Sequence, residues 1–204
     1  MPHFAWQELM QQWNQAAFAN AECAALIPIQ AQTSRWLGFP GATETELMAA
    51  EARLGIRFPP SYRSFLHYTN GWQLLNGVIW QLWSTNTIDW HASRSQDLID
   101  IWVHAGKDSA AHYGREPRQI PDTEYFVYGE AQAPGSMRDE YLQTTLEVSD
   151  LGDAAFFLLN PEIRTPEGEW EAWFFASWLP GARRYRSFWE LMQGEYDLFM
   201  RGVS

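Results

Sequence analysis

The sequence is poor in the residues that most often announce a chemistry. Lys107 is the only lysine beside 13 arginines, and Cys23 is the only cysteine in 204 residues. A lone cysteine cannot close an internal disulfide, so a reducing, cytoplasmic setting is expected. No apolar run approaches the roughly 20 residues that cross a bilayer, so no membrane partner is expected. The first residues, MPHFAWQELMQQWNQAAFA, lack a basic segment and break their apolar positions with Gln and Glu, unlike a secretory signal. The phosphate-cradling and nucleophile patterns GxxxxGK[ST], GxGxxG and GxSxG are absent. The five histidines (His3, His67, His91, His104 and His112) form no HxxxH or HExxH pair and have no cysteine at metal spacing. Asp89-x-His91 reads as a loop aspartate beside an unrelated histidine, and Cys23, in an Ala-rich segment, as a small buried thiol. These absences leave no catalytic residue, cofactor or metal to assign, so the expectation is a protein that is not an enzyme.

Basic charge is also scarce. There are 25 acidic residues against 14 basic ones, a net charge of −11. Phosphate binding needs a basic surface, which argues against a nucleic-acid partner. The same charge suits a basic protein partner, because complementary fields speed association; it also serves plain solubility. The acid is concentrated. Residues 122–153 hold eight acidic residues and only Arg138, a net −7. Tyrosines share this window, and tyrosine gives rigid contact area at low entropic cost. Asp122, Glu124, Glu130, Asp139 and Glu140, with Tyr125 and Tyr128 as anchors, are therefore the candidate partner-binding residues. The competing reading is a solvated hairpin with a charged outer face.

What is abundant is aromatic: 12 Trp, 8 Tyr and 12 Phe. Such rings usually form core. At strand spacing, Trp80 and Leu82 oppose Ile79, Gln81 and Trp83. Trp170, Ala172, Phe174 and Ala176 oppose Glu171, Trp173, Phe175 and Ser177. A strand apolar on both faces is central and covered on both sides.

The most specific segment is 42–72, ATETELMAAEARLGIRFPPSYRSFLHYTNGW. Thr43 and Glu46 form a capping box, and Leu47, Ala50 and Leu54 an apolar stripe that Gly55 stops. Pro59-Pro60 stiffens the turn into a second helix with Tyr62, Phe65, Leu66 and Thr69 on one face, ended by Asn70-Gly71. Taken together, Glu51, Leu54, Gly55, Pro59, Tyr62, Phe65, Leu66, Asn70 and Gly71 resemble the pattern of the SUKH superfamily, the Smi/Knr-like domains. Phe58 stands where Leu is usual, and Trp72 where a second Gly is common, so the following turn is expected to differ. The resemblance runs from about residue 41 to the C-terminus. It implies a small α+β domain. It also implies a bacterial immunity protein, of a polymorphic-toxin or contact-dependent inhibition system, that neutralises a cognate toxin by occluding its active site. A basic nuclease is one such toxin. The alternative is a non-catalytic regulatory scaffold, like the fungal relatives, that binds several host proteins. Glu51 belongs to the family pattern, and a carboxylate there is expected to accept hydrogen bonds from backbone N–H groups of the next turn.

The rest of the chain fits an α+β architecture: a central sheet of about four to six strands with helices packed before and after it. An amphipathic helix over 3–19 (Leu9, Trp13 and Ala16, with Trp6 and Met10 beside them) precedes an irregular connector at 27–41. Residues 1–40 are therefore expected to be an appendage packed on a core domain at 41–204. Strands are expected near 77–83, 124–128, 141–149, 155–160 and 170–178. A helix is expected at 95–105, with Leu98, Ile101, Trp102 and Ala105 on one face and Gly106 as its stop, followed by a loop at 107–121. A last helix starts at Ser187, with Phe188, Leu191, Met192 and Phe199 on its apolar face.

Overall fold

The first apolar stripe forms α1 (Trp6–Ala19), which buries Trp6, Leu9, Met10, Trp13 and Ala17. The computed structural model describes residues 4–112 and 118–202. A second short helix follows, α2 (Ala21–Leu26), and the connector expected to be irregular at 27–41 begins with a third, α3 (Ile29–Ser34). Both have identifiable N-caps: Asn20 Oδ1 accepts from Cys23 N at 2.9 Å, and Pro28, a residue of the expected connector, stands at the N-cap of α3. The capping box of α4 (Glu44–Leu54) is made in both directions, Glu46 N to Thr43 Oγ1 at 3.3 Å and Thr43 N to Glu46 Oε2 at 2.8 Å. Gly55 ends it at φ +69°, a left-handed position that costs glycine nothing. Pro60 opens α5 (Pro60–Tyr68).

β1 (Trp72–Gln73) pairs with β2 (Gln81–Leu82) in a small antiparallel ribbon. The strand expected at 77–83 is cut to those last residues because Asn76 Oδ1 accepts from Val78 N at 2.8 Å and Ile79 N at 2.6 Å, holding the backbone in a turn. The main sheet joins β3 (Asp89–Trp90), β4 (Leu146–Glu147), β5 (Ala155–Arg164), β6 (Trp170–Ala176) and β7 (Ala182–Tyr185) in that order, all neighbours antiparallel. Two expected strands are corrected. Residues 124–128 begin in the single-turn helix α7 (Asp122–Tyr125), because Pro121 O accepts from both Glu124 N and Tyr125 N. Residues 139–144 wind into a 3₁₀ helix that buries Leu142, and the expected strand is reduced to Leu146–Glu147 with an isolated bridge from Ser149 to Leu82.

β5 and β6 are the centre, and their pleat separates two cores. Phe157, Leu159, Ala172, Phe174 and Ala176 face a large cluster with α1, α4, α5 and α8 (Phe188–Gly202). Phe156, Leu158, Trp173 and Phe175 face a smaller one with Ile99, Met137 and Leu142. Each fully buried ring contributes about 2 kcal/mol through the area it removes from water. α6 (His91–His112) covers the second face. Its expected apolar face is rotated: Ile99 is fully buried while Ile101 is 70% exposed. The inward stripe is Leu98, Ile99, Trp102 and Val103, itself at helical spacing, and it lies wholly beyond a break at Ser95 (φ −133°, ψ 32°). The helix also runs through Gly106, and residues 113–117 of the expected loop lie outside the described residues.

Trp6 packs edge-on to Phe65 at 5.2 Å and to Trp189 at 4.6 Å, and Trp13 lies 5.7 Å from Phe199. Helix α1 thus shares the large core with α5 and α8.

Candidate partner-binding site

Beyond its kink α6 runs past the 3₁₀ segment at 139–144, and between them lies a cleft of about 1060 Å³. Asp100 and Trp102 line one wall, Arg138, Asp139 and Glu140 another, and Arg118, Ile120 and Pro180 also border it. Trp102 Nε1 donates to an Asp139 oxygen at 3.2 Å. Burial pushes the Asp139 carboxyl up from its ordinary range, and the indole bond opposes the shift. Glu140 is exposed.

The rim is tied by arginines. Arg138 Nη2 reaches Asp122 Oδ1 at 2.5 Å and Ile120 O at 2.7 Å. Arg118 Nη2 grips Glu124 Oε1 at 2.7 Å. The Ser136 hydroxyl, together with Arg118, holds the Glu124 carboxyl below the usual range. These are surface pairs, weak because water and salt screen them.

Beneath the rim is a buried polar hub. Glu171 Oε2 accepts from Tyr125 Oη at 2.6 Å, Trp173 Nε1 at 2.7 Å and Asn160 Nδ2 at 3.2 Å. Its Oε1 accepts from Tyr128 Oη at 2.8 Å and Arg184 Nη1 at 3.3 Å. Taking an ion out of water costs several kcal/mol, and this full set of donors, one of them cationic, offsets it. Burial, with Glu171 beside them, raises both phenols, so they stay protonated donors. The hub is a fixed platform that holds α7 on the sheet.

The seven candidate residues thus have different surroundings. Asp139 and Glu140 line the cleft. Asp122 and Glu124 sit on α7 in ion pairs. Glu130 is exposed on a 3₁₀ turn, Gly129–Ala131. Among the described residues neither Glu130 nor Glu140 forms an ion pair. Tyr128 is half-buried, and Tyr125 is fully buried with its hydroxyl on Glu171, so Tyr125 is a core residue where an exposed anchor was expected. The last acids of the window are elsewhere. Glu147 is buried, with Oε2 2.6 Å from His91 Nδ1, and Asp150 and Asp153 lie on a loop near Trp80 and Trp178. His91 is therefore a buried side chain opening α6, while Asp89 Oδ1 accepts from Trp90 N at 2.8 Å. Sequence reasoning missed Arg118, Trp102, Arg184 and Glu171. Only Glu171 left a signal: a carboxylate on a face shared with Trp173 and Phe175 must find buried donors.

Among the described residues no three His, Cys, Asp or Glu side chains are grouped to hold a metal ion. No helix among them is long and apolar enough to cross a membrane. Residues 41–194 match the SMI1 / KNR4 family (SUKH-1). The chain belongs to the SMI1 / KNR4 family. No curated protein matches it. The SUKH-1 pattern residues serve the scaffold here. Glu51 Oε1 accepts from Phe58 N and Arg63 Nε, both at 3.1 Å. Asn70 Oδ1 takes Thr85 N at 2.7 Å. Gly71 (φ +112°) lies where a Cβ would come within 2.9 Å of Leu82 O. Trp72, the departure from the pattern, is fully buried edge-on to Trp36 at 5.0 Å and starts β1.

Proposed function

We propose that this SUKH-1 domain is an immunity protein that acts in the cytoplasm, binding a cognate toxin domain of a polymorphic or contact-dependent system and occluding its active site. The work is stoichiometric binding without turnover. The observation that carries the reading is the concentration of acid at 122–140, five carboxylates against Arg138, next to a cleft that Asp100, Asp139 and Glu140 share with Arg118 and Arg138, on a chain of net charge −11. A toxin that handles nucleic acid has a basic active-site cleft, because its substrate is a polyphosphate. An acidic surface would compete for that cleft by charge and be steered to it.

The proposed contacts are Asp122, Glu124, Tyr128, Glu130, Asp139 and Glu140. Glu130 and Glu140 are exposed and would supply the long-range field. Asp122 and Glu124 would exchange Arg138 and Arg118 for toxin arginines at small cost, since exposed pairs are weak. Tyr125 acts behind them, fixing α7 through Glu171. The test is to identify the neighbouring reading frame and measure binding of its purified product. Tight one-to-one binding that stops the product's activity supports the proposal. Several weak partners and no such inhibition would point to a regulatory scaffold. Turnover abolished by one substitution would point to an enzyme.

A further inference from the structure

Away from the cleft, three loops meet at one end of the sheet. Asp150 Oδ1 accepts from Trp80 N at 3.1 Å and Gln81 N at 3.0 Å. Trp178 Nε1 donates to Asp153 O at 3.0 Å, and Ser177 N to Ala154 O at 3.0 Å. Gly152 lies on the loop before β2 so closely that a Cβ there would fall 1.6 Å from Val78 O. Leu151 is therefore carried on a loop fastened to Trp80 on one side and Trp178 on the other. All three are exposed: Trp80 43%, Leu151 58% and Trp178 53%. A groove of about 340 Å³ opens beside Trp178, walled by Phe174, Leu198 and Phe199 with Glu22, Arg183 and Glu195.

The backbone here is strained. Asp153 and Ala154 are successive non-glycine residues at φ +43° and +57°, and Leu74 on the facing loop is at φ +50°. Side chains disfavour this region, and such strain collects where a surface is held ready for use. Two indoles and a leucine, held out on a turn pinned by hydrogen bonds, form a preorganised contact surface that has little ordering entropy left to lose.

Charge selects the occupant. Residues 74–81, 149–155 and 177–181 contain Asp150 and Asp153 but no Arg or Lys. The nearby Arg183 is held by Glu195 at 3.4 Å and over the Phe174 ring at 4.4 Å, and its single charge is outnumbered by Asp150 and Asp153. Like charge opposes a nucleic acid, an anionic lipid surface or a second copy of this −11 chain. Exposed indole faces beside carboxylates favour guanidinium and ammonium groups. We infer that the loop end bearing Trp80, Leu151 and Trp178 is a second docking surface, for a cationic, arginine-bearing polypeptide segment. This surface is separate from the cleft and does not depend on the immunity reading.

The test is a titration of the full chain with hexa-arginine at about 20 mM salt, where surface charge is weakly screened. The readout is the indole N–H NMR signals, assigned with Trp80→Phe, Trp178→Phe and Trp102→Phe. Trp102 reports on the cleft in the same spectrum. Saturable shifts at Trp80 and Trp178 are expected, larger than those of the fully buried Trp13, Trp72 and Trp173. Leu151→Ser with Asp153→Asn should weaken them at least about threefold, leave the response of Trp102 unchanged, and keep the dispersion of the buried indoles as proof of folding. No shift at Trp80 and Trp178, equal shifts with hexa-glutamate, or no effect of the double variant would overturn the inference. So would a concentration-dependent dimer in sedimentation that the double variant abolishes, which would give the surface to a second copy.

Discussion

Glu195→Gln tests whether α8 buries a carboxyl that keeps its proton near neutrality. Glu195 is 2% exposed; Asn76 Nδ2 donates to its Oε2 at 2.9 Å and Arg183 Nη2 stands 3.4 Å from Oε1. Burial pushes this carboxyl from 4.5 up to about 7, against the pull of Arg183 and Asn76. The unfolded chain releases the proton near the ordinary value, while the native protein holds it until near neutrality. Between those values the native state binds more protons than the unfolded one, so rising pH removes stability. The contribution is complete below 4.5, falls as pH rises to about 7, and is flat above it. From pH 5 to pH 8 the loss amounts to about 2.5 kcal/mol. Gln is neutral throughout, so the variant should gain that amount relative to the parent across the range. Urea denaturation of both proteins at intervals from pH 5 to 8 measures the difference, with every other titrating group cancelling. A difference that is constant to within about 0.5 kcal/mol would refute the reasoning. A parent that gains stability relative to the variant as pH rises would show that Arg183 wins over burial and Glu195 is ionised.

Leu66→Ala should destabilise by roughly 2–5 kcal/mol through its cavity, and a loss below about 0.5 kcal/mol in urea denaturation would show that α5 does not face the core. Tyr125→Phe should cost about 1.5 kcal/mol, at the low end for a bond to a charged group, because Trp173 and Asn160 still serve the same oxygen of Glu171; Tyr128→Phe, at a half-buried phenol, should cost less in the same assay. Deleting residues 1–26 should leave a cooperative but weaker thermal transition, with the burial of Trp6 and Trp13 lost; a chain that does not fold would mean that α1 is integral to the domain.

The sequence was most legible where local rules and burial agree. The capping box at Thr43, the stop at Gly55, Pro60 at the start of α5 and the two-sided apolar strand at 170–176 are each complete within a few residues, and each appears in the structure. It was least legible where a distant side chain overrides local preference. Tyr125 looks like a strand residue beside acids, but its hydroxyl meets Glu171, 46 positions away, and the chain turns to let it. α6 turns Ile99 inward in place of Ile101, because its inward stripe is Leu98, Ile99, Trp102 and Val103, and helical spacing alone does not choose between that stripe and Leu98, Ile101, Trp102 and Ala105. β3 and β7, short and with Arg183 and Arg184 in the latter, lack the apolar run that marks a strand. For the candidate site, the concentration of acid was visible but its division was not. Asp139 and Glu140 line the cleft, Asp122 and Glu124 are paired on α7, Glu130 is exposed on a turn, Glu147 is buried on His91, and Asp150 and Asp153 serve loops beyond β4.

The most direct test of the central claim is the association rate between this protein and the product of the neighbouring reading frame, measured by stopped flow from low to physiological salt. Glu130→Lys with Glu140→Lys changes exposed side chains that form no ion pair among the described residues, so the fold should be retained. If the cleft face steers a basic toxin, the double reversal should slow association about tenfold or more at low salt and flatten its salt dependence, with a smaller effect on dissociation. An unchanged association rate at low salt would contradict the account and leave the acidic face as a solvated surface.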